Sequence, residues 1–202
     1  MSVVSFFREF ARDPVLVGAV APSGVDLARR MVDAADLRPG QVVVELGAGT
    51  GPMTAEIVAR GHDGSAASGP FVALEPNAAL AAILRERFPT VRVEARYAQE
   101  LRAILGEMGQ SHADRVVSSL PWAIWSDALQ REVFDAILDV LAPDGKMVTF
   151  GYVHAQLLPA ARRLRRALDA RFGSVTTTPI AWRNLPPALV FVCAEPRPKT
   201  TD

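Results

Sequence analysis

The chain has 202 residues, of which half are hydrophobic, and its 22 lysines and arginines balance 22 acidic residues. This composition predicts one globular domain with its own core, and the single cysteine excludes an internal disulfide framework. No apolar run approaches the ~18 residues of a membrane span, and charged residues interrupt the first apolar stretch, which argues against a signal peptide. A cytoplasmic protein is therefore expected, and the neutral net charge argues against a dedicated nucleic-acid binder, whose domains are usually strongly basic.

The first residues, 1–22, form a predicted amphipathic helix and lid segment. Val3, Phe6, Phe7 and Phe10 recur at helical spacing on one narrow face. Such a helix can lie in a membrane interface, pack on the protein's own core, or close over a site as a lid. These alternatives stay open from the residue pattern.

Short apolar runs then alternate with longer amphipathic ones. Strands are predicted at 42–46, 71–74, 91–94, 115–118, 146–150, 174–178 and 189–194, and helices at 51–60, 77–88, 98–108, 126–141 and 156–171. Strands that are apolar on both faces and separated by helices predict a doubly wound α/β fold with a mostly parallel sheet. Only the Pro-rich stretch 179–187 separates the last two strands, so the final strand is predicted to be antiparallel. The domain is expected to span 23–195, followed by a flexible tail, 196–202.

A glycine loop follows the first strand. It comprises Glu45, Leu46, Gly47, Ala48, Gly49, Thr50 and Gly51. Its glycines allow backbone to approach a ligand closely at the carboxyl end of the sheet. A dinucleotide-binding loop would have glycine where Pro52 stands, and a phosphate-binding loop would have a lysine. Glu45 at the strand end suits a cationic amino-acid group better than a pyrophosphate.

A second acid, Glu75, ends the second strand 24 residues after Gly51 and precedes Pro76. This spacing is close to the ~20 residues at which an acid binds ribose hydroxyls in nucleotide-binding α/β folds. One carboxylate can accept hydrogen bonds from both hydroxyls.

With these motifs the chain resembles the class I S-adenosylmethionine-dependent methyltransferases. The resemblance implies a single Rossmann-like seven-stranded sheet, S-adenosylmethionine as cofactor and S-adenosylhomocysteine as product. The cofactor contacts that it implies are Glu45, Gly47, Ala48, Gly49, Thr50, Gly51, Glu75, Pro76, Ala98, Gln99 and Ser118. Tyr97 stands where many members have the Asp that binds adenine, so adenine recognition is expected to involve Ala98 backbone, Gln99 or Tyr97.

The fourth strand ends in a sequence that resembles the Asn-Leu/Pro-Pro-aromatic motif of methyltransferases acting on amino groups. The predicted catalytic residues are Ser119, Leu120, Pro121 and Trp122. A small hydroxyl and a backbone carbonyl can hold an amine in line with a methyl group, and an aromatic face stabilises developing ammonium charge. The competing interpretation is a strand ended by proline and followed by a core tryptophan.

The segments 18–23, 118–121 and 182–188 resemble one branch in particular, the bacterial phospholipid and aminolipid N-methyltransferases of the PmtA type. This resemblance implies methyl transfer to a membrane aminophospholipid, phosphatidylethanolamine or its partly methylated forms, by an enzyme attached peripherally to the inner face of the membrane. The substrate contacts expected are Phe10, Pro22, Ser23, Trp122 and Arg183. An ornithine lipid is an alternative acceptor, and so is RNA adenine N6, because ribosomal RNA adenine dimethyltransferases share the Leu-Pro-aromatic motif.

Two further features bear on the partner and on metal binding. Four arginines between 162 and 166 can meet anionic lipid, RNA phosphate or solvent alone. The three histidines lack ligand spacing, so no metal site is predicted.

Overall fold

Seven strands form a single sheet in the computed structural model, which describes residues 22–197. The strands are β1 (Val43–Leu46), β2 (Phe71–Leu74), β3 (Arg92–Glu94), β4 (Ala113–Ser118), β5 (Leu141–Tyr152), β6 (Phe172–Thr177) and β7 (Ala188–Pro196). Their order in the sheet is β3-β2-β1-β4-β5-β7-β6. The pairs among β1 to β5 are parallel, and β7 runs antiparallel to both β5 and β6. The predicted mostly parallel sheet with an antiparallel final strand is confirmed.

Six α-helices flank the sheet within the described residues. They are α1 (Pro22–Ala35), α2 (Pro52–Ala59), α3 (Ala78–Arg87), α4 (Leu101–Glu107), α5 (Asp127–Leu138) and α6 (Pro159–Arg171). Two of them begin at side-chain caps, because Asn77 accepts the free N–H groups of the first turn of α3 and Ser126 accepts one in α5.

Two hydrophobic cores lie on opposite faces of the sheet. Helices α1, α2 and α3 pack on the face that carries Val43 and Val117, while α4, α5 and α6 pack on the face that carries Val44 and Val116. Neighbouring residues of one strand are thus buried in different cores. This burial explains why the central strands carry apolar residues on both faces and do not alternate regularly between apolar and polar residues.

Strand β5 begins earlier than predicted, at Leu141 and not at residue 146. Its pairing with β4 shifts between Leu141 and Lys146, because the four residues 142–145 stand opposite the single residue 114, which leaves three extra residues on the β5 side. The preceding helix, predicted to reach residue 141, ends at Leu138. Since Ile137, Val140 and Leu141 are all buried in one core cluster, the apolar pattern continues across the boundary and hides it.

The parallel strands end at one side of the sheet, which we call the carboxyl edge. It carries the glycine loop after β1, Glu75 after β2, residues 119–126 after β4 and residues 153–158 after β5. The β6–β7 connection, 178–187, also lies there because β7 is antiparallel: Tyr152 pairs with Ala188, and the N–H of Val153 donates to Pro187 O at 2.8 Å. Among residues 22–197, every helix is too short or too polar to cross a bilayer.

Candidate active site

The glycine loop turns sharply at the end of β1. Gly47, Gly49 and Gly51 all have positive φ, at 75°, 57° and 88°, a backbone region that disfavours other residues. A Cβ on Gly51 would lie 2.7 Å from the side chain of Leu84, whereas one on Gly49 would come no closer than 4.0 Å to any atom, the Gly47 carbonyl oxygen. Packing therefore requires glycine at position 51, while at position 49 the backbone conformation alone favours it and leaves the loop surface free.

Glu45 is completely buried beneath this loop. One of its carboxylate oxygens accepts a hydrogen bond from Thr54 Oγ1 at 2.7 Å, and the other, Oε1, has no hydrogen-bond partner among the described residues. Burial raises the pKa of the Glu45 carboxyl to about 8, although the hydrogen bonds with Thr54 oppose this. A buried carboxyl with one unsatisfied oxygen suits a ligand that supplies a cationic N–H donor.

Glu75, at the end of the neighbouring strand β2, is hydrogen-bonded to the glycine loop. Its two carboxylate oxygens accept from the N–H groups of Gly49 at 2.8 Å and Asn77 at 2.9 Å. Burial raises the pKa of Glu75, and these two backbone donors oppose that shift. Each carboxylate oxygen has a further lone pair for a ligand hydroxyl. The hydroxyl of Thr50 nearby is buried and has no hydrogen-bond partner among the described residues.

An open cavity lies beside the glycine loop. Its lining residues are Leu46, Gly47, Leu74, Pro76, Arg96, Tyr97, Ala98, Gln99, Leu120, Trp125, Leu129 and Val133. The structure thus brings together six residues that the sequence analysis assigned to the site from separate segments, namely Gly47, Pro76, Tyr97, Ala98, Gln99 and Leu120. A mostly apolar cavity next to two carboxylates fits a nucleoside whose base is flat and apolar and whose other groups are polar.

The predicted acceptor residues lie directly against this loop. The N–H of Ser119 donates to Leu46 O at 2.8 Å, which holds the end of β4 to the end of β1. A Cβ on Gly47 would lie 3.2 Å from Leu120 Cδ2, so Leu120 packs against the loop. The half-buried Ser119 hydroxyl makes no hydrogen bond to any described residue. Pro121 begins the short 3-10 turn Trp122–Ile124, and the Leu120 carbonyl accepts from the N–H of Trp122 at 2.9 Å.

Trp122 does not form the predicted aromatic wall. It is 1% exposed, its ring stacks on Phe134 of α5 at a centroid distance of 4.2 Å, and its Nε1 donates to Ser118 Oγ at 3.2 Å. The same contact keeps the Ser118 side chain in the core and away from the cavity. The interpretation of Trp122 as a core tryptophan, the competing one at the outset, is thus the correct one, because α5 supplies a partner ring that the local sequence does not show.

The structure adds two residues that sequence reasoning missed. Trp125, not Trp122, lines the cavity, and its buried Nε1 lacks a hydrogen-bond acceptor among the described residues. Thr54 is the hydrogen-bond partner of Glu45, from the first turn of α2. The sequence does offer an indication for Thr54, because a hydroxyl three residues after Gly51, in the first turn of the helix, can reach back to the acid at the end of β1. Two tryptophans three residues apart offer none for choosing between them.

The structure describes only some of the predicted substrate contacts. Phe10 and the amphipathic segment fall outside the described residues. Pro22 and Ser23 begin α1. Arg183 is exposed in the 178–187 connection at the carboxyl edge, and no described residue forms an ion pair with it.

The arginine run on α6 is less cationic than its sequence indicates. Arg163 Nε lies 3.4 Å from Asp127, and Arg165 forms a bidentate contact with Asp169 at 2.9 and 3.0 Å. Half of the four arginines are thus paired with acids. A uniform basic patch is not present on this helix.

Comparisons with known proteins bear on the kind of ligand. The chain is 35% identical over 191 residues to an ornithine lipid N-methyltransferase of Singulisphaera acidiphila, and the alignment covers 93% of each protein. It is 39% identical over 88 residues to ribosomal RNA small subunit methyltransferase A of Thermotoga neapolitana, which covers 43% of this chain and 31% of that protein. No family model matches the chain.

Among solved structures, the fold is similar to that of 1,6-didemethyltoxoflavin-N1-methyltransferase of Burkholderia thailandensis, crystallised with S-adenosylhomocysteine. The TM-score is 0.66 at 20% identity, and the match covers 96% of this chain and 87% of that one. This likeness concerns the fold alone.

Proposed function

Because the chain belongs to the class I S-adenosylmethionine-dependent methyltransferases, in the family of an ornithine lipid N-methyltransferase, we propose that it methylates the amine of a membrane aminolipid. The observation that carries the proposal is the relationship over 93% of both proteins, which includes the acceptor segment as well as the cofactor loop. The chain is a SAM-dependent N-methyltransferase, so the proposal concerns its acceptor.

The residues of the carboxyl edge suit the cofactor's three parts. The unpaired Oε1 of Glu45 would accept from the ammonium of the methionine moiety, and Glu75 would accept from the ribose hydroxyls. The cavity between Pro76 and Leu120 would hold adenine. When bound, S-adenosylmethionine supplies a methyl group activated by its sulfonium, which the acceptor nitrogen takes by in-line displacement as the carbon–sulfur bond breaks.

Ser119 and Leu120 would position the acceptor amine. The Ser119 hydroxyl is free of hydrogen bonds to described residues, and the Leu120 carbonyl has a second lone pair beyond its contact with Trp122. These groups can align the nitrogen next to the glycine loop, which is the main task in this chemistry. No residue between 118 and 126 titrates. We therefore infer that the amine binds in its neutral form and that its proton passes to water after transfer.

The acceptor most favoured by the full-length relative is the amine of an ornithine lipid. Phosphatidylethanolamine and its partly methylated forms, the first expectation from sequence, have the same chemistry, a primary or partly methylated amine at a bilayer surface. Adenine N6 of ribosomal RNA is the second candidate, favoured by the 39% identity to the Thermotoga neapolitana enzyme over the shared 88 residues. That match leaves more than half of this chain unaligned, so we rank it lower.

Labelled S-adenosylmethionine distinguishes these acceptors. We would incubate the full chain with vesicles containing ornithine lipid, vesicles containing phosphatidylethanolamine, and unmethylated ribosomal RNA. Label in either lipid supports the proposal and identifies the acceptor. Label in RNA alone, or in none of the three, overturns it.

A Ser119→Ala variant tests the acceptor geometry in the same assay. Loss of one hydrogen bond to the amine would lower kcat by about 5- to 30-fold, since such a bond contributes roughly 1–2 kcal/mol. Ser111→Ala is the matched control, because Ser111 is exposed on the turn before β4, at the opposite side of the sheet. Equal rates in both variants would remove Ser119 from the acceptor site.

A further inference from the structure

The most exposed large apolar side chains of the described residues lie together at one edge of the molecule. Five of them are more than half exposed, between 53% and 79%, and all belong to the three connections 119–126, 153–158 and 178–187. We call these five the apolar rim: Ile124, Leu157, Leu158, Trp182 and Leu185. An exposed apolar group of this size at one edge indicates an interaction surface.

The three connections are neighbours in space. Strands β4, β5, β7 and β6 are consecutive in the sheet, so their ends at the carboxyl edge are adjacent. Helix α6, which follows 153–158, contacts the Trp122–Ile124 turn. The N–H of Val153 donates to Pro187 O at 2.8 Å, which joins the second connection to the third.

The longest connection is held in place. Ala181 pairs with Ala188 across its base, and the amide of Asn184 is buried and donates to Pro186 O at 2.6 Å. Trp182 and Leu185 flank this anchor and are 68% and 79% exposed. Their exposure therefore follows from a fixed loop conformation and not from a frayed end.

The charge around the rim complements an anionic lipid surface. None of the three connections contains an aspartate or glutamate, while 178–187 contains Arg183. No described residue forms an ion pair with Arg183. Tryptophan and arginine beside aliphatic side chains are the composition favoured at the boundary between headgroups and acyl chains.

We propose that the apolar rim is a membrane-docking surface that inserts into the interface of an anionic bilayer. Docking through the rim orients Ser119 and Leu120 toward the lipid headgroups. This inference rests on the proposed aminolipid acceptor, because only an acceptor held in a bilayer requires that orientation. It is separate from residues 1–22, since every rim residue lies beyond residue 120. The rim and the acceptor turn share one connection, 119–126, so docking and acceptor access are coupled geometrically.

Tryptophan fluorescence of the unmodified full chain tests this directly. Trp122 and Trp125 are 1% and 5% exposed, so a change in emission on adding vesicles reports on Trp182. The probe is vesicles of phosphatidylethanolamine with the anionic lipid phosphatidylglycerol, with brominated acyl chains as quencher. We expect a blue shift and quenching, both absent in Trp182→Phe, which must still bind the vesicles.

Vesicle flotation with paired variants gives the second measurement. Leu157 and Leu185 are each 79% exposed, so the double variant Leu157→Gln/Leu185→Gln leaves the core intact. We expect its partitioning to fall at least about tenfold, because two apolar side chains no longer insert. The matched control is Ile83→Gln on α3, a 46% exposed side chain away from the rim, which should partition as the unmodified chain does.

Several outcomes overturn the inference. Vesicle binding without Trp182 quenching, or with unchanged partitioning of the double variant, would show that another surface docks. A Trp182 emission already blue-shifted without vesicles would show that residues 1–21 or a second copy covers the rim. Failure of the proposed function is distinguishable: vesicles would then bind through the rim, with Trp182 quenched, yet no aminolipid would be methylated.

Discussion

Lowering the pH from 7 to 6 should weaken cofactor binding through Glu45. The carboxyl is buried, and its pKa is raised to about 8, so in the free enzyme it is mostly protonated at pH 7 and almost entirely so at pH 6. The cofactor's ammonium favours the ionised form, and it stays largely cationic itself in this range. If only the ionised carboxyl binds, affinity falls roughly ninefold between pH 7 and pH 6, and binding at pH 7 releases roughly nine-tenths of a proton.

Isothermal titration calorimetry measures both quantities. Titrations of S-adenosylmethionine in buffers of different ionisation enthalpy give the number of protons released, and repeats at two pH values give the affinity ratio. Glu45→Gln keeps the shape and the hydrogen bond with Thr54 while removing the titration, so its affinity should be weaker and independent of pH. Proton release near zero in the unmodified enzyme, or the same pH dependence in Glu45→Gln, would refute this reasoning.

Three further outcomes are expected. Because the pKa of Glu45 in the folded protein lies above its value in the unfolded chain, the free energy of unfolding without cofactor should decrease as pH rises from about 4.5 to 8. The decrease should be smaller in Glu45→Gln, and urea titrations of the two proteins at several pH values measure it. Gly51→Ala should destabilise the fold by about 2 kcal/mol, since the added Cβ would lie 2.7 Å from a side chain of α3. Gly49→Ala should destabilise it by about 1 kcal/mol and mainly weaken cofactor binding. Denaturation measures the stability of each variant, and calorimetry measures its affinity for the cofactor. Trp122→Ala should lower the free energy of unfolding by about 3–5 kcal/mol and Trp182→Ala by less than about 0.5 kcal/mol; equal losses would contradict the assignment of Trp122 to the core.

The parts of the site that were predictable from sequence are those that local backbone dictates. The glycines at 47, 49 and 51 adopt the positive φ that their spacing after a strand indicates. Glu75 reaches the same loop because parallel neighbouring strands end at one edge, and its hydrogen bond to the Gly49 N–H follows from that register. Short-range geometry together with strand order was enough here.

The parts that were not predictable depend on contacts between distant segments. Trp122 is in the core because Phe134, 12 residues later on α5, presents a ring to it. The arginines of α6 lose much of their patch character because Asp127, at the start of another helix, approaches Arg163. The sequence around Trp122 and Arg163 does not show where Phe134 and Asp127 lie. The residue types therefore indicated an aromatic wall and a basic patch, but not that these side chains are occupied by other contacts.

The reversal of β7 places the C-terminal end of the described chain at the side of the sheet opposite the carboxyl edge. Strand β7 starts at the carboxyl edge beside Tyr152 and ends with Pro196 paired to Phe172, at the far side of the sheet. Nine residues of extended strand cover roughly 30 Å. A fluorophore attached just beyond Pro196 would therefore stand clear of the docking surface and of the acceptor turn. Energy transfer from that position to a labelled bilayer would measure the distance of the C-terminal side of the enzyme from the membrane during turnover. The label would leave the docking and acceptor residues unmodified.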